Sequence, residues 1–344
     1  MESIKEMVPL SVKREMKHVL NFLLKQEYRN NWKENRMRRQ YKTSFGEKNA
    51  DKTFYIIRRA SSGESMGSVW KNCIGELEYA DKKGYIPVVD YLHYYDALIQ
   101  PSDECEKENA WEYYFEQVSS YSLEEVYQSK NVIMANSLDS KHWIYQNQGR
   151  RIYTDKRYRS HLASIMRKYC VLSGNMKENI DREYARIQSI IGKNKILGVC
   201  VLLREADIVN RGSVEGDLKG RNVQPAYKEV VNDIHRCMRE YNCKYVFMSD
   251  DSERYRKKLY EEFGNTIIFS NREQIRGDEI SVGAGVEALL KIDPRKYTMG
   301  YLTDMFLLAS CDSILASECS TSQLVCLINN SKFENEKIYH MGTI

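Results

Sequence analysis

The sequence predicts an α/β protein with largely parallel sheets, and three observations carry that prediction. Short apolar runs such as "YIPVVDY" (85–91), "ILGVCVLL" (196–203) and "KYVFMSDD" (244–251) alternate with amphipathic segments long enough to be helices. The runs are apolar throughout instead of alternating, as in sheets covered on both faces. The length of 344 residues, without an internal repeat, accommodates two such layers.

The elements follow in order. Residues 1–50 form a basic N-terminal segment, in which Val12, Met16, Val19, Leu20, Leu23 and Leu24 recur at helical spacing within 8–32. "TFYIIRR" (53–59) is a strand, "ASSGESMGS" (60–68) a turn of small residues, and 69–84 a helix ending at Gly84. Strands are expected at 85–91 and 131–137. Between them a short helix over 122–129 has Ser122 as N-cap and Glu125 completing a capping box. A long helical region covers roughly 155–192. Beyond it, strands at 196–203, 244–251 and 266–271 alternate with helices at 224–242, 252–264 and 301–311, and a short strand runs into a helix over 313–323. The alternation divides the chain near residue 190, into a first layer over 51–190 and a second over 191–344.

Composition excludes several classes. The chain is 42% hydrophobic and 29% charged with a formal net charge of +4, ordinary for a globular protein and too weak for a general polyanion binder. Residues 1–45 hold eleven Lys and Arg against five Glu, so the remainder is close to neutral. No window nears the roughly 20 apolar residues of a membrane span, and "VLNFLL" (19–24) is too short for a signal peptide. Nine cysteines, an odd number without a CxxC, read as reduced thiols. A cytoplasmic protein is expected. Six scattered histidines show no zinc-ligand spacing, so no metal is expected.

In open α/β sheets, ligands bind beyond the carboxyl ends of the strands. Three strand ends in the second half carry polar clusters: "READ" (204–207), "SDDSE" (249–253) and "ASECSTSQ" (316–323). Each has an ordinary explanation as a solvated loop or a helix cap. Their coincidence on successive strands points to one crevice, and capping amides also bind anions such as a diphosphate.

These segments fall in a familiar order. "ILGVCVLLREAD", "GRNVQP", "YVFMSDDSERYRKKLYEEFG", "ISVGAG" and "DMFLLASCDSILASECSTSQL" resemble, in sequence, the motifs of the fucosyltransferase superfamily, which includes α1,6-fucosyltransferases and protein O-fucosyltransferases. At the front, "SSGESMGSVWKNCIGELEYADKKGYIPVVDY" resembles that superfamily's opening loop, helix and strand. The resemblance spans roughly 53–330 and is strongest to uncharacterised bacterial members. It implies a GT-B glycosyltransferase: two Rossmann-like domains facing across a cleft, with 51–190 on the acceptor side and 191–344 holding a nucleotide sugar, usually GDP-fucose. The reaction implied is inverting and metal-independent, with no cofactor beyond the donor substrate, and the sequence contains no Asp-x-Asp triplet.

The roles follow from the chemistry of breaking a glycosyl–phosphate bond. Arg204 is the candidate to stabilise the departing diphosphate, since a guanidinium binds it bidentately. Ser249 with Asp250 or Asp251 would accept hydrogen bonds from the base or ribose. Ser320, Thr321, Ser322 and Gln323 would meet phosphate, and Gly63 and Gly67 would let backbone approach the nucleotide or acceptor. Asp207 and Glu215 are the candidates for a base acting on the acceptor hydroxyl. Leu202, Leu203 and Glu205 depart from the superfamily's pattern around the arginine. The alternative is therefore a catalytically degenerate protein that binds a nucleotide sugar or glycan. The acceptor expected is a glycan, as in surface-polysaccharide biosynthesis. Residues 1–45 are expected either to pack against the enzyme body or to rest on the inner face of an anionic membrane. With no comparable basic stripe elsewhere, no nucleic-acid partner is expected.

Overall fold

The computed structural model describes residues 36–59, 66–92, 108–203, 222–250, 252–274 and 293–343. The basic helix expected over 8–32 lies outside the described residues. Two sheets organise the rest. The first contains β1 (Tyr41–Thr43), β2 (Phe54–Arg58), β3 (Ile86–Asp90) and β4 (Val132–Met134), in the order β1-β4-β2-β3. β2 pairs in parallel with β3 and β4, whereas β1 closes the edge antiparallel to β4. Every residue of β2 is buried: Phe54 to Ile57 form its apolar run, and Arg58 at its end donates Nε to Ala135 O at 2.6 Å.

The second sheet is wholly parallel. It contains β5 (Ile196–Cys200), β6 (Tyr245–Met248), β7 (Ile267–Ile268), β8 (Ser313–Ser317) and β9 (Asn335–Tyr339), in the order β7-β6-β5-β8-β9. The sequence leads to the expectation of a strand at 266–271, but only its first half pairs. β1 and β9 were not anticipated, because "YKT" is too short to show a period and "NEKIY" carries two charges.

Helices clothe both sheets. α1 (Met66–Lys83) follows β2, and α2 (Leu123–Val126) precedes β4. Ser122 caps α2 by accepting from Glu125 N, but the expected capping box is not completed: the Glu125 carboxylate accepts from Asn49 Nδ2 at 3.0 Å instead. The long helical region divides into α4 (Lys156–Tyr169) and α5 (Gly174–Ile191), preceded by α3 (Gln146–Thr154). The break has a tertiary cause. Glu116 N donates to Val171 O at 2.8 Å and Ser173 N to Tyr114 O at 3.0 Å, so the chain between the helices bridges to another segment. Ser173 then caps α5 through Met176 N.

In the second layer, α6 (Tyr227–Glu240), α7 (Glu253–Phe263), α8 (Pro294–Ala309) and α9 (Ser320–Asn329) complete the crossovers. One apolar core runs from the first sheet to the second. Trp70 of α1 stacks on Phe306 of α8 at 6.0 Å between centroids, and Trp111 stacks on Phe115 at 4.4 Å. α9 packs on α1, α3 and α4, so a helix of the second layer is buried against three helices of the first.

Candidate functional site at the carboxyl end of the second sheet

The order of the second sheet reverses between β5 and β8. From β5 the chain builds outward through β6 to β7, while β8 leads the other way to β9. Cys200 at the end of β5 lies opposite Ala316 of β8. Such a reversal opens a crevice at the carboxyl ends of the two central strands. Both flanking segments, 204–207 and 316–323, are ones the sequence singles out. Arg204, Asp207, Glu215, Gly63 and Asp251 lie outside the described residues. The chain leading to Arg204 is described, and Leu203 is buried.

The segment after β8 is tightly bonded. Cys319 is the N-cap of α9, accepting from Ser322 N through Sγ while Ser322 Oγ bonds back to the Cys319 backbone. Ser322 Oγ also lies 2.6 Å from the Tyr153 hydroxyl and 2.6 Å from Ser317 O. Thr321 Oγ1 meets the Tyr301 hydroxyl at 2.5 Å, and Ser320 Oγ meets Ser68 Oγ of α1 at 3.2 Å. Burial holds both Tyr153 and Tyr301 well above the usual phenol range, so both act here as neutral hydroxyls. Gln323 packs on Gly149 of α3, where a Cβ would come within 2.4 Å of its amide nitrogen. Gln323 Oε1 is buried and has no hydrogen-bond partner among the described residues.

Gly67 proves to be the second residue of α1, not part of an open turn. A Cβ there would come within 2.5 Å of the Tyr301 hydroxyl, so glycine permits α1 to approach α8. The start of α1, at Gly67 and Ser68, and the Ser-Thr-Ser start of α9 therefore meet across the two layers.

After β6, Ser249 Oγ donates to Asp304 Oδ2 at 2.8 Å, and Arg272 Nη1 reaches the same oxygen at 3.3 Å. Both charged side chains are almost wholly buried, at 3% and 0% exposure. The Arg272 guanidinium lies over the rings of Tyr297 and Tyr301 at 4.6 and 5.2 Å. Asp304 Oδ1 is buried without a hydrogen-bond partner among the described residues. Asp250 turns the chain into α7: its Oδ1 accepts from Ser252 N at 2.7 Å, and its main-chain oxygen accepts from Arg256 Nε at 2.7 Å. Ser252 is the N-cap.

Sequence reasoning missed several polar residues here. Glu318, directly before the α9 cap, is buried and paired bidentately with Arg150 of α3 at 3.1 to 3.2 Å. His340, just past β9, bonds its other side. Asp304 was hidden inside an apolar helix, although an acid in "MFLL"-type surroundings is itself a signal of a partnered or functional group. Arg150 and His340 carried no local signal.

On the first layer, a cavity of about 700 Å3 opens near the carboxyl end of β3, with Asn109, Glu112, Tyr113, Ser119 and Tyr121 on one side and Arg295 of α8 on the other. Arg295 lies over the Tyr113 ring at 4.1 Å. Among the described residues, no group of three or more His, Cys, Asp and Glu side chains could hold a metal ion. Among the same residues, no helix is long and apolar enough to cross a membrane.

Fold and site together define an α/β protein of two mainly parallel layers, with polar side chains gathered at the switch point of the second. No protein-family model and no curated protein matches the chain. Solved structures that it is similar to include fucosyltransferases. Fucosyltransferase NodZ from Bradyrhizobium is 15% identical, with a TM-score of 0.41, covering 80% of this chain and 92% of that one. POFUT1 in complex with GDP-fucose is 9% identical, with a TM-score of 0.47, covering 86% and 100%. A variant of Arabidopsis thaliana FUT1 in complex with GDP is 12% identical, with a TM-score of 0.45, covering 87% and 73%.

Proposed function

We propose that the chain is a GT-B glycosyltransferase that moves fucose from GDP-fucose to a glycan acceptor, with inversion and without a metal. The observation that carries this reading is the meeting of motif segments at one crevice. The end of β5, the Ser249–Asp304 pair and the start of α9 gather around the β5–β8 switch point. The first layer closes on them through Ser68.

In this reading 191–344 holds the donor and 51–190 the acceptor. Attack at the sugar's C1 pushes an electron pair onto the diphosphate oxygen. Arg204 would stabilise that charge bidentately, and Ser320 and Thr321, with the amides that open α9, would supply further donors. Ser249 with Asp250 or Asp251 would meet the base or ribose. Ser322 and Gln323 would hold the α9 cap in place, since Ser322 is already fully bonded. The cavity beside Tyr113 and Tyr121, rich in hydroxyl, amide and carboxylate groups, suits an acceptor sugar. Asp207 and Glu215 are the loop carboxylates available as base.

A second reading, a degenerate binder of a nucleotide sugar or glycan, is favoured by one feature: Leu202 and Leu203 stand before Arg204, and Glu205 after it. Thermal-shift measurement with GDP, UDP, CDP and ADP separates the donor classes. Stabilisation by GDP is expected, and stabilisation by another diphosphate alone overturns the fucose assignment. Arg204→Ala is expected to bind GDP more weakly and to lower turnover by about 10²–10³-fold while still folding. Unchanged turnover would remove Arg204 from the mechanism, and wild-type binding without turnover would establish the degenerate reading.

A further inference from the structure

Glu318 and His340 sit side by side at the carboxyl ends of β8 and β9. His340 Nδ1 lies 2.8 Å from Glu318 Oε1. A carboxylate only accepts hydrogen bonds, so Nδ1 carries the proton, and in the neutral ring Nε2 presents its lone pair. Nε2 makes no hydrogen bond among the described residues. The two side chains differ sharply in access: His340 is 47% exposed and Glu318 only 3%.

Glu318 is not itself available as a base. Arg150 Nε and Nη2 hold both of its oxygens, and His340 takes Oε1. Its main-chain oxygen accepts from Asn222 Nδ2 at 2.8 Å. Asn222 begins the described chain on the far side of 204–221, and Val223 N donates to Gly342 O at 3.0 Å. The dyad therefore lies beside Asn222 and Val223, where they meet the chain that follows β8 and β9. The Tyr153 ring meets His340 edge-on at 6.0 Å, and its hydroxyl reaches Cys319 O at 3.2 Å. That places the imidazole beside the α9 cap. Glu318, and Arg150 through it, are the charged groups that meet the ring among the described residues.

A ring with one nitrogen fixed by a buried carboxylate and the other open is the base-and-orienter half of a catalytic relay, with the nucleophile still to come. We infer that His340, oriented by Glu318, is the general base for the acceptor hydroxyl, in place of Asp207 or Glu215. The inference rests on the glycosyl-transfer reading above. As the acceptor oxygen bonds to C1 of the donor sugar, its proton passes to His340 Nε2. The C1–O bond to phosphate breaks, and its electron pair leaves with the nucleoside diphosphate. The imidazolium, steadied by Glu318, then returns the proton to solvent.

Water can replace the acceptor hydroxyl, so the test follows GDP release from GDP-fucose across pH, beside calorimetric GDP binding and thermal melting. His340→Asn keeps a donor toward Glu318 and removes the base. It is expected to melt and bind GDP as the wild type does, to release GDP at least about 100-fold more slowly, and to lose the wild type's rise in rate with pH. His340→Gln, which places its amide near the Nε2 position, is expected to be equally slow. Retention of both rate and pH profile in His340→Asn overturns the inference and makes the dyad a structural clasp. Loss of GDP binding in that variant likewise overturns it, in favour of a donor-binding role. A wild-type chain that binds GDP and releases none from GDP-fucose overturns the transfer reading itself, a failure distinct from either.

Discussion

Ser68 of α1 and Ser320 of α9 face each other with their hydroxyl oxygens 3.2 Å apart, one on each side of the junction between the two layers. The contact is small, but its surroundings are not: Gly67 lies against Tyr301, and Tyr301 against Thr321. The start of each helix is thus set by the other layer, and substitutions there should report on packing and on the crevice together.

Gly67→Ala tests that packing directly. The added methyl would come within 2.5 Å of the Tyr301 hydroxyl, which cannot move without breaking its bond to Thr321. A loss of about 1–3 kcal/mol is expected in urea unfolding. Tyr301→Phe in the same background should recover part of it, because the clashing oxygen is gone.

The Arg272–Asp304 pair tests the buried polar cluster beside Ser249. Both partners are buried, so removing Asp304 takes the carboxylate away from a buried guanidinium. Asp304→Ala is expected to cost about 3–5 kcal/mol by urea unfolding. Asp304→Asn, which retains an acceptor for Ser249 and Arg272, should cost less. Equal costs would show that the charge contributes little.

Glu76 makes stability depend on pH. It is buried in α1, takes a hydrogen bond from the Tyr55 hydroxyl, and burial raises its pKa from 4.5 to about 7. The folded state therefore holds a proton that the unfolded state releases between those two values. The stabilisation is complete below pH 4.5, falls as pH rises, and is lost above about pH 7, a change of about 3 kcal/mol. Urea unfolding between pH 5 and 8 should show this decline in the wild type. Glu76→Gln should flatten it.

Two expectations stand for the basic segment at 1–45, packing against the rest of the chain or resting on an anionic membrane, and vesicle binding tests the second. The full chain should co-sediment with phosphatidylserine-containing vesicles at low salt and be released as salt rises. A chain lacking those residues should stay in the supernatant. Sedimentation unchanged by the truncation would leave that segment with no membrane role.

Much of the fold was legible in the sequence for a physical reason. A strand buried on both faces is mostly apolar, so β2, β3, β5, β6 and β8 announced themselves as runs although Arg58, Asp90, Ser313 and Ser317 stand at their ends. Helix starts with a side-chain cap were legible too, as at Ser122 and Ser252. Edge strands were not. β1 and β9 are held by their neighbours' backbone, and pairing of that kind leaves little trace in the side chains. The interruption between α4 and α5 was equally silent, because its cause is a bridge to Tyr114–Glu116, far away in the chain.

The candidate site divides along the same line. Local order alone determined that polar clusters close the strands at 204, 249 and 316, because an apolar run must end where the sheet meets solvent or a ligand. Only the tertiary structure decided what those clusters touch. It joined Ser249 to Asp304, spent Ser322 on a cap and a tyrosine, and brought Arg150, Glu318 and His340 together from three separate parts of the chain. Burial, hydrogen-bond partners and charge pairing depend on distances between residues far apart in sequence. A linear pattern can mark where chemistry is placed, but the packing of two layers decides which groups remain open to perform it.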